Sequence, residues 1–474
     1  MKKYAVLVLL SMTLLLCGCY DGNEPNDIAY ITAMGFDKAE NDNYNITIQF
    51  AKPTQISGGT SEQGGKGGSE ILENIMVEAP TIYAAINISN HIVSKKFSLA
   101  HTKLFVFSEE LAREGLKDFT QTMARSEEVR PNVYMAVSQT SANEYLKSNA
   151  PVIEVNPAKY YQLVFEENEY NAVPLSALES FYFYQTSPEK DNVLPIAGVF
   201  KSEKEIKGES SGGSQGSSGG SSGSEGGSSG GSGGGSEGGS GGGSGGSSGG
   251  SSEGGGSSSS KEDQNALQKN APVNEEGFEY KLKNYLAGEV AIEEENKSEV
   301  IGSAVFHNDY MVGTLRSIET ELFNILNGDY RSNYTTFHGE SENSTPVTVK
   351  IEQNQDPKVK VELDESHAKV KFDVKLEADF RSLPSEYLVE QDIKNFEEKT
   401  GKDIENAMLK FLNKTTKEFQ SDILGIGGIV KRKFLTYPEF EAYNWPEKYK
   451  DTEFEVHVKF KVRQTGLTVR TEAK

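Results

Sequence analysis

The sequence predicts a mixed α+β fold, in which antiparallel-rich sheets are covered by helices and a disordered Gly/Ser insertion divides the chain. Three observations support this prediction. Strands and helices alternate in the first half, which is typical of α/β or α+β packing. Apolar and polar residues alternate in several segments near the C-terminus, as in strands with one wet face. Between these segments, apolar residues recur at three and four positions, which predicts a helix with one apolar face.

In the first half, alternation or apolar runs predict three strands, which are Tyr44–Ala51, His101–Ser108 and Asn132–Gln139. The segment Thr81–Val93 predicts a helix, with Thr81 as the candidate N-cap. Glu109–Arg125 predicts a second helix, with an interruption at Gly115.

In the second half, alternation predicts four strands, which are Val347–Ile351, Val359–Leu363, Val370–Leu376 and Phe454–Val462. A long amphipathic helix is expected from Ile393 to Leu412, with Gly401 as a candidate break. Its apolar face has about the width needed to cover a sheet.

A Gly/Ser tract, Gly208–Ser260, separates the two halves. Such a segment cannot bury enough apolar area to offset its ordering entropy, and its 53 residues should behave as a coil with ends about 40 Å apart. The tract is interpreted either as a tolerated loop expansion or as a spacer between moving halves. The expected organisation is a signal peptide at 1–18, an α/β region of one or two subdomains at 19–205, a flexible linker at 206–275 and an α+β domain at 276–474.

The N-terminus resembles a bacterial lipoprotein signal. Lys2 and Lys3 precede an apolar run, Tyr4–Leu16, which is too short to span a bilayer and is typical of a signal peptide. The run ends in Leu-Cys-Gly-Cys, and the resemblance implies cleavage between Gly18 and Cys19, with diacylglyceryl and N-acyl groups on Cys19. Cys17 would then leave with the signal peptide. The alternative, a redox pair or half of a metal site, lacks partner thiols and has the spacing C-x-C.

The formal net charge of −22 disfavours some partners. A chain this acidic is repelled by nucleic acid and by anionic headgroups, so no nucleic-acid partner is expected. A diacylated cysteine supplies two acyl chains, which is enough for stable attachment to a membrane. The sequence therefore predicts an acidic body on a lipid anchor outside a cell membrane.

The sequence contains no recognisable catalytic or metal-binding constellation. Its six histidines form no H-E-x-x-H or similar ligand spacing, and neither a nucleophile elbow nor a P-loop is present. We therefore expect no enzyme activity, no cofactor and no metal site.

The stretch after the signal resembles the mature start of the Ger(x)C family, the lipoprotein C subunits of spore germinant receptors. Within Cys19–Asp37, the matching positions are Asp21, Glu24, Asn26, Gly35 and Asp37. Tyr20 stands where the family has Trp, and Pro25 stands where it has an aliphatic residue.

Further segments along the chain resemble family motifs in order. Those in the first half are Ala100–Leu116 with His101, Arg125–Val137 with Arg125 and Arg130, and Asn192–Val199. Those in the second half are Ile301–Thr320 with Gly302 and Gly313, Gln420–Gly427 with Asp422, Gly425 and Gly427, and Asn444–Gly466 with Trp445. We expect the two hairpin glycines to serve turns and close packing. The segment around Asp422 is either a helix C-cap or a partner contact, and Trp445 is either a core residue or an interface residue.

The resemblance implies a non-catalytic subunit with a mixed α/β fold of two or three domains. It implies a place on the outer face of the spore inner membrane, in a complex with integral-membrane A and B subunits. That complex senses small nutrient germinants. Whether this subunit itself binds the germinant is left open. The alternative is a lipid-anchored extracytoplasmic solute-binding protein, and a third possibility, an envelope hydrolase, would need a catalytic cluster that the sequence lacks.

Overall fold

A computed structural model of the chain describes residues 3–4, 27–52, 72–149, 154, 156–166, 173–174, 176–200, 284–290, 298–337, 347–364, 367–382 and 390–464. The lipid-attachment site, the Gly/Ser tract and all of the predicted signal peptide except residues 3–4 lie outside these residues. None of the described helices is both long enough and apolar enough to cross a bilayer.

Within the described residues the strands are β1 Ile28–Lys38, β2 Tyr44–Ala51, β3 Leu72–Ala79, β4 Lys96–Ser98, β5 Leu104–Ser108, β6 Tyr134–Ser138, β7 Val193–Val199, β8 Ser298–His307, β9 Tyr310–Leu315, β10 Ser332–Phe337, β11 Val347–Glu352, β12 Lys358–Leu363, β13 Ala368–Ser382 and β14 Glu453–Gln464. The helices are α1 Ile82–Ile92, α2 Glu109–Glu114, α3 Lys117–Ala124, α4 Ala142–Ser148, α5 Pro157–Phe165, α6 Leu178–Tyr184, α7 Ser317–Asn327, α8 Glu390–Lys414, α9 Ile426–Lys431, α10 Tyr437–Tyr443 and α11 Trp445–Tyr449. A π-helical turn, Thr415–Phe419, follows α8.

In the part of the chain that the structure describes, the first sheet has nine strands in the order β3-β2-β1-β5-β6-β7-β8-β9, with β4 paired to β1. Its centre is parallel, because β1, β5, β6 and β7 all run in one direction. These four strands therefore begin at one edge of the sheet, here called the amino edge. β8 and β9 come from beyond the Gly/Ser tract and continue this sheet, because β8 pairs antiparallel with β7 and β9 pairs antiparallel with β8. The predicted region 276–474 therefore supplies strands to both sheets.

Helices cover both faces of the first sheet, and the alternation of side chains explains how. On β1 and β5, Phe36 and Phe105 pack with α1, α2, α3 and α6 on one face. Ala33 and Leu104 pack with α4 and α5 on the other face. Strands that are buried on both faces read as continuous apolar runs, as His101–Ser108 does in the sequence.

The second sheet has five strands, in which the long β13 pairs with β12 through its first half and with β11 through its second half. β14 runs parallel to β13 along the other edge, from Lys369↔Glu453 onward. The four predicted strands are present, but the antiparallel prediction for Phe454–Val462 is wrong. Alternation marks a strand with one buried face, whichever direction it runs, and here the helices between β13 and β14 carry the chain back for a parallel crossover.

The long helix α8 covers the second sheet and continues through Gly401 without a break. The predicted apolar face is confirmed, since Phe396, Ile404, Met408 and Phe411 are buried in the core. A Cβ on Gly401 would lie 3.5 Å from Cβ of Phe460 on β14, which is ordinary contact. The predicted mixed fold, with antiparallel-rich sheets and covering helices, is confirmed.

Two glycines with different surroundings test this packing. Gly313→Ala places a methyl group against the ring of Phe419, with no room for it. We expect the free energy of unfolding to fall by about 1–3 kcal/mol, the usual cost of overpacking, in chemical denaturation.

Gly401→Ala is the matched control, because its new methyl group meets only ordinary contacts and Ala is favoured over Gly inside a helix by up to about 1 kcal/mol. It should leave stability unchanged or raise it. Equal destabilisation by both substitutions would contradict this account of the packing.

Candidate functional site at the amino edge of the first sheet

The residues singled out from the sequence do not gather in one place. Gly18, Cys19, Asp21 and Glu24 lie outside the described residues. Arg125 is exposed after α3, where it lines a shallow pocket with Tyr83. Some of the remaining residues cap helices or allow close packing, and the others lie at the amino edge of the first sheet.

Asp37 lies near the carboxyl end of β1 and fixes the start of α4. Its Oδ1 accepts a hydrogen bond from Ala142 N at 2.6 Å, and its Oδ2 accepts one from Asn143 N at 3.0 Å. Burial raises the pKa of Asp37, and these two N–H donors lower it. The carboxylate thus caps a helix N-terminus, which is a structural role.

His101 and Arg130 lie before β5 and β6, at the amino edge. The His101 ring packs edge-on against Tyr30, with 4.5 Å between centroids. Burial lowers the pKa of His101, and the charges of Arg130 and Lys103 lower it further. Next to them, the Glu128 carboxylate accepts a hydrogen bond from Leu99 N at 2.8 Å, so charges of both signs lie along this part of the amino edge.

Gly302 and Gly313 allow close packing around the β8–β9 hairpin. Gly302 has φ +87°, and a Cβ there would lie 2.7 Å from both Leu286 Cδ2 and Leu315 O. Gly313 lies against the Phe419 ring. The turn itself is made at Asn308, which adopts a left-handed conformation with φ 56°.

Asp422 is the centre of the cluster and is 5% exposed. Its Oδ1 accepts from Ile426 N at 3.0 Å, and its Oδ2 accepts from Gly427 N at 2.7 Å and from Trp445 Nε1 at 2.8 Å. Burial raises the pKa of Asp422 to about 6, although the three hydrogen bonds lower it. The carboxylate therefore caps the start of α9 and anchors Trp445, which is a buried core residue.

Gly425 and Gly427 let this turn approach the chain that leads into β7. Gly425 has φ +68°, and a Cβ there would lie 3.1 Å from Lys190 Cδ. At Gly427 a Cβ would lie 2.6 Å from Trp445 Cδ1 and 2.7 Å from Glu189 O. Side chains at these positions would separate the Asp422 turn from residues 189 and 190.

A second carboxylate, Asp191, joins the Asp422 turn to the β8–β9 hairpin. Its Oδ2 accepts from Asp422 N at 3.0 Å, and its Oδ1 accepts from Asn308 N at 2.9 Å. Asp191 N in turn donates to Asp422 O at 2.9 Å, and Ser421 Oγ donates to Phe306 O at 2.7 Å. Segments near residues 191, 307 and 422 are therefore tied together by hydrogen bonds.

His307 lies beside Asp191 in this cluster. Its Nδ1 lies 3.4 Å from Asp191 Oδ2. The hydrogen bond to Asp191 raises the pKa of His307, against a smaller lowering by burial. Neither Asp191 nor His307 is recognisable as a site residue from the sequence, where the only local signal is a polar pair, Asp191-Asn192, directly before an apolar strand.

A cleft of about 330 Å³ opens beside this cluster, with Asp191, Asp422, His307, Lys190 and Trp445 among its lining residues. The Asp422 and Asp191 carboxylates already accept several N–H donors, so they hold the backbone in place. Such a cleft can admit a small polar ligand. Among the described residues, no group of three or more His, Cys, Asp or Glu side chains is arranged to hold a metal ion.

Comparison with known protein families gives two matches in chain order. The profile described as "Spore germination protein N-terminal domain" matches residues 21–199. The profile described as "Spore germination B3/GerAC like, C-terminal" matches residues 301–466. The segment between the two matches contains the Gly/Ser tract.

Individual relatives point the same way. The chain is 33% identical over 172 residues to spore germination protein KC of Bacillus subtilis, covering 36% of this chain and 42% of that protein. It is 29% identical over 161 residues to the putative spore germination protein YfkR of the same organism, covering 34% of this chain and 41% of that protein. The aligned segments thus span about two fifths of these relatives. The crystal structure of the GerBC protein is 13% identical, with a TM-score of 0.43 over 90% of this chain and 96% of that chain.

The His307–Asp191 pair predicts a pH dependence of stability. Because the pKa of His307 is raised in the folded state, its stabilising contribution is present below the ordinary histidine pKa and is lost as the pH rises through the folded value. In chemical denaturation, His307→Gln should therefore cost more free energy of unfolding at pH 6 than at pH 8.5. The side chain is 42% exposed, so we expect a difference under about 1 kcal/mol.

The control is the same substitution in an Asp191→Asn background, where the cost of His307→Gln should no longer differ between the two pH values. A His307→Gln cost that is equal at the two pH values, or larger at pH 8.5, would contradict the pairing.

Proposed function

Because the chain belongs to the Ger(x)C family of spore germination proteins, the C subunits of germinant receptors, we propose that it is the lipid-anchored C subunit of a nutrient germinant receptor. In this proposal it lies on the outer face of the spore inner membrane, attached through Cys19. It acts there as a non-catalytic subunit that binds or assembles with integral-membrane A and B subunits.

One observation carries the proposal: the two family matches occur in order over residues 21–199 and 301–466, directly behind the Leu-Cys-Gly-Cys sequence that ends at Cys19. A lipobox cysteine becomes the first residue of the mature protein, and the first match starts two residues later. Two acyl chains on Cys19 would hold an otherwise water-exposed body at a membrane stably.

The geometry of the cluster supports a binding role over a catalytic one. Asp422 and Asp191 both accept backbone N–H groups, and those bonds hold chain segments together. A general base must instead be free to accept a proton from a substrate. The described cluster therefore suits an assembly subunit that presents a fixed surface.

The cleft beside Asp191 favours a second candidate, a lipid-anchored solute-binding protein. It has polar walls and room for a small molecule. Calorimetric titration of the protein with amino acids and sugars separates the two candidates, because tight binding by this chain alone would favour the solute-binding function.

The anchor is tested with the two cysteines of the signal region. Cys19→Ala should move the protein from the membrane fraction to the soluble fraction, because the acyl chains have no other attachment site. Spores carrying this variant should lose dipicolinate release in response to nutrients and keep it in response to a receptor-independent trigger.

Cys17→Ala is the matched control, since Cys17 would leave with the signal peptide, and it should change neither readout. Persistence of the Cys19→Ala protein in the membrane fraction would contradict lipid attachment at Cys19. A normal nutrient response in spores that lack the whole gene, and all genes of closely similar sequence, would contradict the receptor function.

A further inference from the structure

The loop between α9 and α10 carries charge opposite to that of the chain as a whole. Its sequence, Lys431–Tyr437, reads Lys-Arg-Lys-Phe-Leu-Thr-Tyr and is here called the basic loop. The chain has a formal net charge of −22, yet three cations stand side by side here. Next to them Leu435 is 95% exposed and Tyr437 is 47% exposed.

Specific contacts hold the basic loop in this shape. The Phe434 ring packs against Tyr443 and Phe440, with centroid distances of 5.1 and 6.1 Å. Leu435 N and Thr436 N donate to Glu439 Oε2 at 3.1 and 3.4 Å. The side chain of Leu435 is therefore presented to the outside by an ordered turn.

Two of the three cations are available to a partner. Lys431 pairs with Glu189 at 2.6 Å. Arg432 and Lys433 are exposed and form no ion pair with any described residue. Glu439 is occupied by the two backbone donors, so the tip of the loop combines free positive charge with an apolar side chain.

The basic loop lies at the amino edge of the first sheet. Lys431, Arg432, Leu435 and Tyr437 line one groove together with Lys190, which comes just before β7. The groove wall also includes Tyr184 of α6, and the neighbouring Phe183 is 64% exposed. Basic and aromatic side chains thus converge at this edge.

The amino edge is also where the chain enters the first sheet. β1 starts at Ile28 and runs parallel to β5, β6 and β7. Cys19 comes eight positions before Asp27, a length of chain that reaches at most about 30 Å. If Cys19 carries the lipid anchor, the amino edge is held close to the bilayer surface.

We propose that the basic loop docks on the surface of an anionic bilayer, with Leu435 inserted at the level of the headgroups and Arg432 and Lys433 against lipid phosphates. This inference rests on the proposed lipid anchor. An anionic surface repels a chain of this net charge, so close approach requires a locally basic face. Basic side chains next to a partly inserted apolar side chain are the combination by which proteins bind such surfaces.

Docking would set the orientation of the anchored body. The anchor holds only one end of the chain, whereas a second contact at the basic loop would fix the direction in which the cleft and the β8–β9 hairpin face. Each Lys or Arg near an anionic surface strengthens attraction about fivefold. Loss of Arg432 and Lys433 should therefore lower the ratio of docked to undocked protein about 25-fold.

The test uses the lipidated full chain in vesicles of phosphatidylglycerol and phosphatidylcholine. In a Cys17→Ala background, Leu435→Cys supplies a thiol for an environment-sensitive fluorophore. We expect blue-shifted emission and quenching by spin-labelled lipid. Vesicles of phosphatidylcholine alone, high salt, or Arg432→Ala with Lys433→Ala should each weaken both signals, because the attraction is electrostatic.

Two controls match this design. Glu40→Cys places the same fluorophore on the exposed β1–β2 turn, at the opposite edge of the sheet. Its emission should be that of a fluorophore in water with vesicles of either composition. Lys410→Ala with Lys459→Ala removes two exposed lysines from other elements and should leave the Leu435→Cys signal unchanged.

Flotation of the vesicles separates failure of this inference from failure of the proposed anchor. Protein that floats with the vesicles while the fluorophore at position 435 stays in water would overturn membrane docking and leave the anchor intact. If the fluorophore is protected from water only after integral-membrane receptor subunits are added, membrane docking would also be overturned. That result would assign the basic loop to a contact with another protein. Lipid-modified protein that fails to float would overturn both the membrane docking and the proposed anchor.

Discussion

The buried carboxylate of Asp422 is the constraint on which the arrangement of the second half depends. Three donors converge on it, two from the start of α9 and one from the Trp445 indole. Removing a charged acceptor from water is costly unless such donors replace the solvent. Because its main chain also exchanges hydrogen bonds with Asp191, the same residue ties the end of the long helix to the amino edge of the first sheet.

Because the central strands are parallel, the contact between Asp422 and Asp191 lies at the edge where those strands begin. Parallel strands start together, so the residues before β5, β6 and β7 meet at one edge, where β1 also begins. His101, Arg130 and Lys190 gather there although the sequence separates them widely. The basic loop lies at the same edge because the Asp422 turn packs against Lys190. An anchored subunit with this geometry would turn the basic loop toward its membrane.

Much of the fold could be predicted from local sequence patterns. The strands that begin at Tyr44 and Val347 and the apolar face of α8 follow from periodicity. The break at Gly115 follows from a glycine within a helical segment. Both signals depend only on nearby residues. The direction of β14 could not be predicted, because alternation shows that one face of a strand is buried and does not show which way the strand runs. The pairing of β8 with β7 depends on contacts across more than 90 residues of intervening sequence, which no local pattern encodes.

The candidate site was predicted in part, for the same reason. Asp422, Gly425, Gly427 and Trp445 stand close in sequence and form family motifs, whereas their partners Asp191 and His307 look like ordinary surface residues. The proposed anchor at Cys19 follows from a short local signal. The role proposed for the basic loop could not be predicted from the sequence, because it depends on the folded position of the loop near the start of β1.

Amide hydrogen exchange of Asp422→Asn tests most directly whether one carboxylate couples the two halves. The amide group cannot accept all three donors, so the local opening free energy should fall by about 1–3 kcal/mol. The account predicts faster exchange at Gly427 and also at Asn308, whose N–H donates to Asp191 and not to Asp422. Asp37→Asn, which changes a carboxylate that caps α4, should leave both amides unchanged. Faster exchange confined to residues 426 and 427, with Asn308 unaffected, would contradict the coupling.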